Sequence, residues 1–284
     1  MALVLDALWN VYKFLLHTVT GTCEIERILA AGASPEDPAT VLRMAAALRR
    51  SKTLTGVCKT VLDSNGEFDA ETEAVSVGIT KGHAIDGLTP ALERLGNVNR
   101  LCQLLSTRYR TAFDSGNAQH EADLEELWTR MTQGKERTGG RYTSEWGEIG
   151  FQGKDPATDF RGMGLLGLDC MVHFARAHAT EAQRTMKQAH GPYEYSWAIV
   201  GINLCGWCVE LVERRRMVAP FVRASPTDDD AALVLRFFDL FARVFADFSQ
   251  FWVDSKPENI MAFSQVFADF KDKMLREQGD ATLL

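Results

Sequence analysis

Large apolar residues recur at helical spacing over most of this sequence, and that recurrence sets the narrowest limit on its fold. From about Asp229 to Trp252, Leu233, Phe237, Leu240, Phe241, Val244, Phe248 and Phe251 fall on one side of a helix, with Arg236, Asp239, Arg243, Asp247 and Gln250 opposite. One face is therefore apolar and the other wet. Ser225-Pro226-Thr227-Asp228 supplies a start signal ahead of it. Phe263, Val266, Phe267, Phe270 and Met274 repeat the pattern near the C-terminus, against Lys271, Asp272 and Lys273. Period-two alternation bounded by hairpin turns is nearly absent, so the spacing predicts an all-α fold.

Further helices follow from the same reading. Thr89-Pro90 reads as a cap followed by a proline at the first helical position, which predicts a helix from there to about Phe113. Another is expected over 119–131, with Leu124, Leu127, Trp128 and Met131 on one side. Leu5, Leu8, Trp9, Tyr12, Leu15, Leu16 and Val19 form an N-terminal stripe that is expected to pack on the main domain, with Trp9, Tyr12 and Leu16 shielded from solvent. Loops are expected at Gly32 to Pro38 and at Asp63-Ser64-Asn65-Gly66. A single contiguous core should include Trp197, Phe237, Phe241, Phe248 and Phe267. No repeat of solenoid period is visible.

Composition narrows the function classes. At 284 residues, with 46% hydrophobic and 24% charged residues, the chain matches ordinary globular proteins and is long enough to bury a large core. A net charge of -7 repels phosphate backbones, which argues against nucleic acid as the main partner. Six cysteines spread through so long a chain do not form a secreted disulfide framework, so a reducing, cytoplasmic setting is expected. The apolar N-terminus is interrupted by Asp6 and lacks a preceding basic residue, so it does not read as a signal peptide. The apolar run Ser196 to Val212 is short for a bilayer and carries Asn203 and Glu210, which predicts a buried helix and no transmembrane segment.

Chemistry is concentrated in one stretch, Trp146 to Leu168. Gly147, Gly150, Gly153, Gly162, Gly164 and Gly167 crowd it, a density that costs conformational entropy and calls for an unusual turn or a close backbone approach. Thr158 or Asp159 is expected to cap a helix running on through Leu165, Leu168, Val172 and Ala175, which would put Arg161 in its first turn. A cation there opposes the helix dipole, an unfavourable placement of about 0.3–1 kcal/mol. Two readings stay open from the residues alone: a guanidinium free to reach another molecule's anionic site, or an arginine that locks the turn by pairing with Asp155 or Asp159.

Trp146, then Gly150-Phe151-Gln152-Gly153, Asp155-Pro156 and Thr158-Asp159-Phe160-Arg161-Gly162-Met163-Gly164-Leu165-Leu166-Gly167-Leu168 resemble the signature of the ELMO (engulfment and cell motility) domain. The likeness extends to Tyr195-Ser196 with Ala198-Ile199-Val200-Gly201-Ile202-Asn203, and to Phe251-Trp252, Pro257, Ile260-Met261 and Phe263. Upstream, Thr20-Gly21, Cys23-Glu24 and Gln119-His120-Glu121 resemble the shorter, stand-alone members, while Gly32 to Asp86 matches weakly. The resemblance implies a multi-helix ELMO fold over 87–280 behind a helical N-terminal extension over 1–86, the two packed as one unit.

It also implies a function. Shorter members activate GTP hydrolysis by Arf and Arf-like GTPases, and the arginine of the DFRGMG motif, here Arg161, is the residue they require. The protein would not be an enzyme by itself but would supply Arg161 in trans, as an arginine finger, to an Arf-family GTPase that binds the GTP and magnesium. It would have no cofactor of its own. Gln152, Gly153, Asp155, Asp159, Phe160, Gly162 and Gly164 would support the finger or meet the partner, and Trp146 and Phe151 would be core anchors. The implied setting is the cytoplasm, with peripheral contact at endomembranes left open. The alternative is a scaffold module without catalysis, the role of the larger ELMO proteins. A small-molecule enzyme is disfavoured, since neither a nucleophile–base pair nor a phosphate-binding loop is apparent.

Three other signals have plainer readings. Cys205-Gly206-Trp207-Cys208 has redox spacing but lies inside an apolar helix, so the thiols should be buried, reduced and unliganded. His173 and His178 have no neighbouring carboxylate–cysteine set in the sequence, and no metal site is expected. Arg214-Arg215-Arg216 complements a helix C-terminus.

Overall fold

The computed structural model describes residues 12, 18–19, 21–22, 24–30, 40–41, 43–44, 47, 82–214, 216 and 229–277. Among them the regular structure is helical, with no strand. The chain divides into two compact units, one made of residues 1–100, 218–228 and 282–284, the other of residues 101–217 and 229–281. In the first unit α1 (Glu24–Ala30) buries Ile25 and Ile28, and Val41, Met44 and Ala47 are buried at helical spacing. Most of the N-terminal stripe and both expected loops lie outside the described residues. Tyr12, expected to be shielded, is 52% exposed, and Val19 is 83% exposed.

The helix α2 (Gly82–Arg110) contributes to the first unit up to Arg100 and to the second from Leu101. It begins before the expected Thr89-Pro90 start, so Pro90 lies inside the helix, and it ends short of Phe113. The second unit continues with α3 (Ala118–Met131), two 3-10 turns (Ser144–Ile149 and Pro156–Gly162), α4 (Gly164–Ala177), α5 (Ala179–Ala189), α6 (Trp197–Glu213), α7 (Asp230–Ser255), a third 3-10 turn (Ile260–Ala262) and α8 (Phe263–Glu277). Helix α3 is capped by Asn117, whose side chain accepts from the Gln119 and His120 amides, and it buries the four expected residues. Helix α7 is capped by Asp229, whose side chain accepts from Ala232 N.

Helix α4 is the hub, packing on α3, α5, α6 and α7. Its sequence is apolar almost all round, as a helix enclosed by others must be. Phe174 of α4 lies 5.4 Å, between ring centroids, from Phe245 of α7, which in turn stacks on Trp197 of α6 at 5.0 Å. Trp197, Phe237, Phe241 and Phe248 are buried, and Phe267 is half-buried at the edge, against Trp207 and Phe248. A polar seam crosses this core with its groups satisfied. Tyr195 donates from its hydroxyl to Thr185 O (2.9 Å) and meets Ser249 Oγ at 2.7 Å, while Trp197 Nε1 donates to Thr185 Oγ1 (2.8 Å). Burial pushes the Tyr195 phenol up in pKa, so it stays a neutral donor.

Candidate functional site

The turn carrying Arg161 is built by an aromatic chain beneath it. Phe160 is buried, stacks on Phe113 at 5.5 Å, and meets Phe151 edge-on at 5.5 Å. Phe151 then meets Trp146 at 6.0 Å, and Trp146 meets Trp128 of α3 at 5.4 Å. Trp146 and Phe151 are core residues, and Phe160 supports the turn from below, out of a partner's reach. Such edge-to-face contacts add about 0.5–1.5 kcal/mol each beyond area burial.

Two backbone approaches fix the turn's position. Gly164, the first residue of α4, has φ +48°, and a Cβ there would lie 2.4 Å from Tyr109 O and 2.5 Å from Thr111 O. Leu165 N donates to Thr111 O at 2.9 Å, which gives one of α4's first amides a partner. At Gly150, with φ +87°, a Cβ would lie 2.2 Å from Trp197 N, and Gly150 O accepts from Ile199 N. These two glycines are demanded by the fold. Gly162 differs, because a Cβ there would meet only Ile202 Cγ2 at 3.8 Å, and Gly153 opens onto space.

The local helix start differs from the expected one. Asp155, rather than Thr158 or Asp159, is the cap: it precedes Pro156 at the first position of a 3-10 turn and accepts from Ala157 N at 3.1 Å. Arg161 therefore sits in the last turn of that 3-10 segment and not in the first turn of α4. The expected dipole penalty disappears, since a cation beside terminal carbonyls is favourably placed. The segment breaks because its C-cap, Met163, leaves helical geometry (φ -134°) and Gly164 is left-handed.

Arg161 is exposed, and its Nε donates to Thr158 O at 2.8 Å. Among the described residues no carboxylate lies within ion-pair distance of it. Asp155 faces Arg141, whose Nη2 is 3.1 Å from Asp155 Oδ1 and which is also paired with Glu121 at 2.7 Å. Asp159 accepts from Gln152 N at 2.8 Å, closing the loop before the turn. Burial raises the Asp159 carboxyl above its ordinary pKa, and the Gln152 hydrogen bond and the Arg161 charge offset part of that. Arg161 thus meets the field of Asp159 without a bond to it. Its neighbours Gln152, Gly153 and Gly162 share its exposure, whereas Gly164 is buried beneath the turn.

Sequence reasoning missed the groups that fix α4 through distant partners. Asp169 takes a forked pair of hydrogen bonds from Arg108, one of them 2.8 Å, and each partner is 61 residues from the other. Glu126 of α3 accepts from Arg176 of α4 and from Arg130, so its carboxyl falls to a pKa of about 2; the Arg176 hydrogen bond is the chief cause and burial opposes it. Asp239 of α7 meets Nε2 of both His173 (3.1 Å) and His178 (2.9 Å), supplying a carboxylate that the local sequence does not show. Cys205 and Cys208 are buried and free of disulfides; Cys205 Sγ lies 3.7 Å from Cys170 Sγ, and burial drives the Cys170 and Cys208 thiols well above their ordinary pKa. Among the described residues, no helix is long and apolar enough to cross a membrane.

With this geometry in hand, the chain can be compared with known proteins. Residues 103–267 match the ELMO/CED-12 family. Over 287 residues the chain is 31% identical to ELMO domain-containing protein B of Dictyostelium discoideum, covering 98% of this chain and 97% of that protein. It is 30% identical over 293 residues to ELMO domain-containing protein 1 of Mus musculus, covering 95% and 88%, and 30% identical over 277 residues to ELMO domain-containing protein 2 of the same species, covering 92% and 89%.

Proposed function

The chain belongs to the ELMO/CED-12 family, which is linked to small-GTPase signalling, and from that membership together with the exposed Arg161 we propose that it activates GTP hydrolysis by an Arf-family GTPase. One observation carries the reading: Arg161 stands exposed on a turn fixed from below, and both carboxylates within its own turn are engaged with other partners. Arg108, Arg141 and Arg176, by contrast, are each spent on a carboxylate.

The chemistry follows from the charge that develops during phosphoryl transfer. The transition state spreads negative charge over the transferring group, and an arginine supplied in trans can raise the rate by about 10³–10⁵. The Nε bond to Thr158 O fixes the root of the guanidinium and leaves its Nη groups to face a phosphate. Since the turn is held by backbone packing, little ordering remains to be done when the partner docks. GTP and magnesium would be held by the partner GTPase, and this protein would contribute no cofactor.

Single-turnover hydrolysis by a panel of GTP-loaded Arf and Arf-like proteins tests the reading, using wild type, Arg161→Ala and Arg161→Lys. Wild type should accelerate at least one GTPase, and both substitutions should remove most of that gain, because a point charge does not reproduce the planar fork. Binding should fall far less than rate, since the finger acts chiefly in the transition state. Melting temperatures should stay close to wild type, as the side chain makes one exposed hydrogen bond. Binding without acceleration by wild type would replace this reading with the scaffold one.

A further inference from the structure

We propose that His173, His178 and Asp239 form a site for a divalent transition-metal ion, zinc being the best match to the donor set. The three side chains come from α4, from the residue joining α4 to α5, and from α7. Their ligand atoms all lie within 4.8 Å of one another, and the two Nε2 atoms converge on the same carboxylate oxygen.

The geometry suits a metal in three respects. Zinc bonds of about 2.0–2.1 Å in a tetrahedral arrangement set neighbouring ligand atoms roughly 3.3 Å apart, so the observed 2.9 and 3.1 Å separations need widen by only a few tenths of an ångström. The rings are oriented by aromatic neighbours, His173 against Phe238 at 5.2 Å and His178 beside Phe174 at 6.4 Å, which limits the rotation that binding would have to stop. Access is also provided. The His173 side chain is only 16% exposed, while Asp239 is 58% exposed, so an ion can enter from the carboxylate side and keep water at its open position.

Two imidazoles and one carboxylate are borderline donors that favour zinc over magnesium or calcium, which want more oxygens. The rival explanation is a pair of hydrogen bonds, with two neutral rings donating to one carboxylate. The two differ in what they require of the rings, because a metal needs both Nε2 lone pairs and hydrogen bonding needs both Nε2 protons. The ion would join α4, the α4–α5 corner and α7. That role is separate from Arg161, which lies in the 3-10 turn that precedes the other end of α4.

The test is zinc titration of the chelator-dialysed full chain by calorimetry, with Asp239→Asn and His178→Ala as variants. Asp239→Asn keeps a hydrogen-bond acceptor and so preserves the fold under either explanation, while His178 is half-buried at the corner between α4 and α5. Wild type should bind one zinc, each substitution should weaken binding by about tenfold or more, and zinc should raise the wild-type melting temperature. Cobalt(II) should give ligand-field bands of a low-coordinate nitrogen and oxygen site without a thiolate charge-transfer band. The proposal is overturned if wild type shows no saturable site, if Asp239→Asn binds as wild type does, or if the cobalt spectrum shows thiolate ligation. Should His178→Ala fail to fold, Asp239→Asn and the cobalt spectrum decide the matter.

Discussion

The N-terminal end of α4 is located by backbone: Gly164 lies against the carbonyls of Tyr109 and Thr111, and Leu165 N bonds to Thr111 O. At the C-terminal end of the same helix the work is done by side chains, with Arg176 paired to Glu126 and the rings of His173 and His178 meeting Asp239. The first kind of attachment leaves side chains unspent, and the second consumes them. If Arg161 is offered to another molecule, as proposed, this end of the helix would have to be fixed without using that cation. The turn before α4 meets this requirement, with the aromatic chain beneath it and Arg161 facing outward.

The largest expected effect comes from disturbing the backbone-located end. In Gly164→Ala the new Cβ would need both a left-handed backbone and room now taken by two carbonyl oxygens. Strain and overpacking each cost about 1–3 kcal/mol, so a loss of about 3 kcal/mol or more is expected in chemical denaturation. A near-neutral result would mean that α4 can start elsewhere and that its position is not set by this approach.

Attachment by charge should be weaker and should depend on pH. Glu126→Gln removes the acceptor of Arg176 and Arg130, which are partly exposed, and solvent screening limits the loss to about 1 kcal/mol at neutral pH. The sign follows from the direction of the shift. The folded pKa is depressed to about 2, so the stabilisation is present above the ordinary carboxylate range and is lost as pH falls from there toward 2. The gap in melting temperature between wild type and variant should therefore shrink from pH 7 to pH 3. A gap that is constant across that range would show that packing, not charge, is what the substitution removes.

How much of this could be read in the sequence depended on how far apart the cooperating residues lie. Helix α7 was legible because its signal repeats over about five turns, and Leu233, Phe237, Leu240, Phe241, Val244 and Phe248 are all buried as their spacing indicates. The place of Cys205 and Cys208 followed from a helix that is apolar all round. The start of the turn before α4 lies three or four residues earlier than Thr158 or Asp159, at Asp155-Pro156, which is itself a cap followed by a first-position proline. The 3-10 break at Met163 and Gly164 reflects carbonyls contributed by residues 109 and 111, which no local pattern encodes. Asp239 escaped for the same reason, since it stands 61 and 66 residues from the two histidines and reaches them only through the packing of α7 on α4.

The smallest effect on stability is expected at Gly162, and it sharpens the comparison most. Gly162 lies two residues from Gly164, yet its φ is not left-handed and an added Cβ would make one ordinary contact, with Ile202 at 3.8 Å. Gly162→Ala should fold as well as wild type, or better by up to about 0.4–1 kcal/mol through the reduced freedom of the unfolded chain. If the glycine is there to let another protein's surface approach Arg161, the cost should appear in GTPase acceleration instead, and Gly162→Val should lose more than Gly162→Ala while the apparent affinity for the GTPase also falls. Measuring melting temperature and single-turnover rate on the same preparations separates the two. Equal rates for wild type, Gly162→Ala and Gly162→Val would mean that the outer surface of the turn does not enter the partner's site, and the trans-arginine reading would then have to be abandoned even with Arg161 exposed.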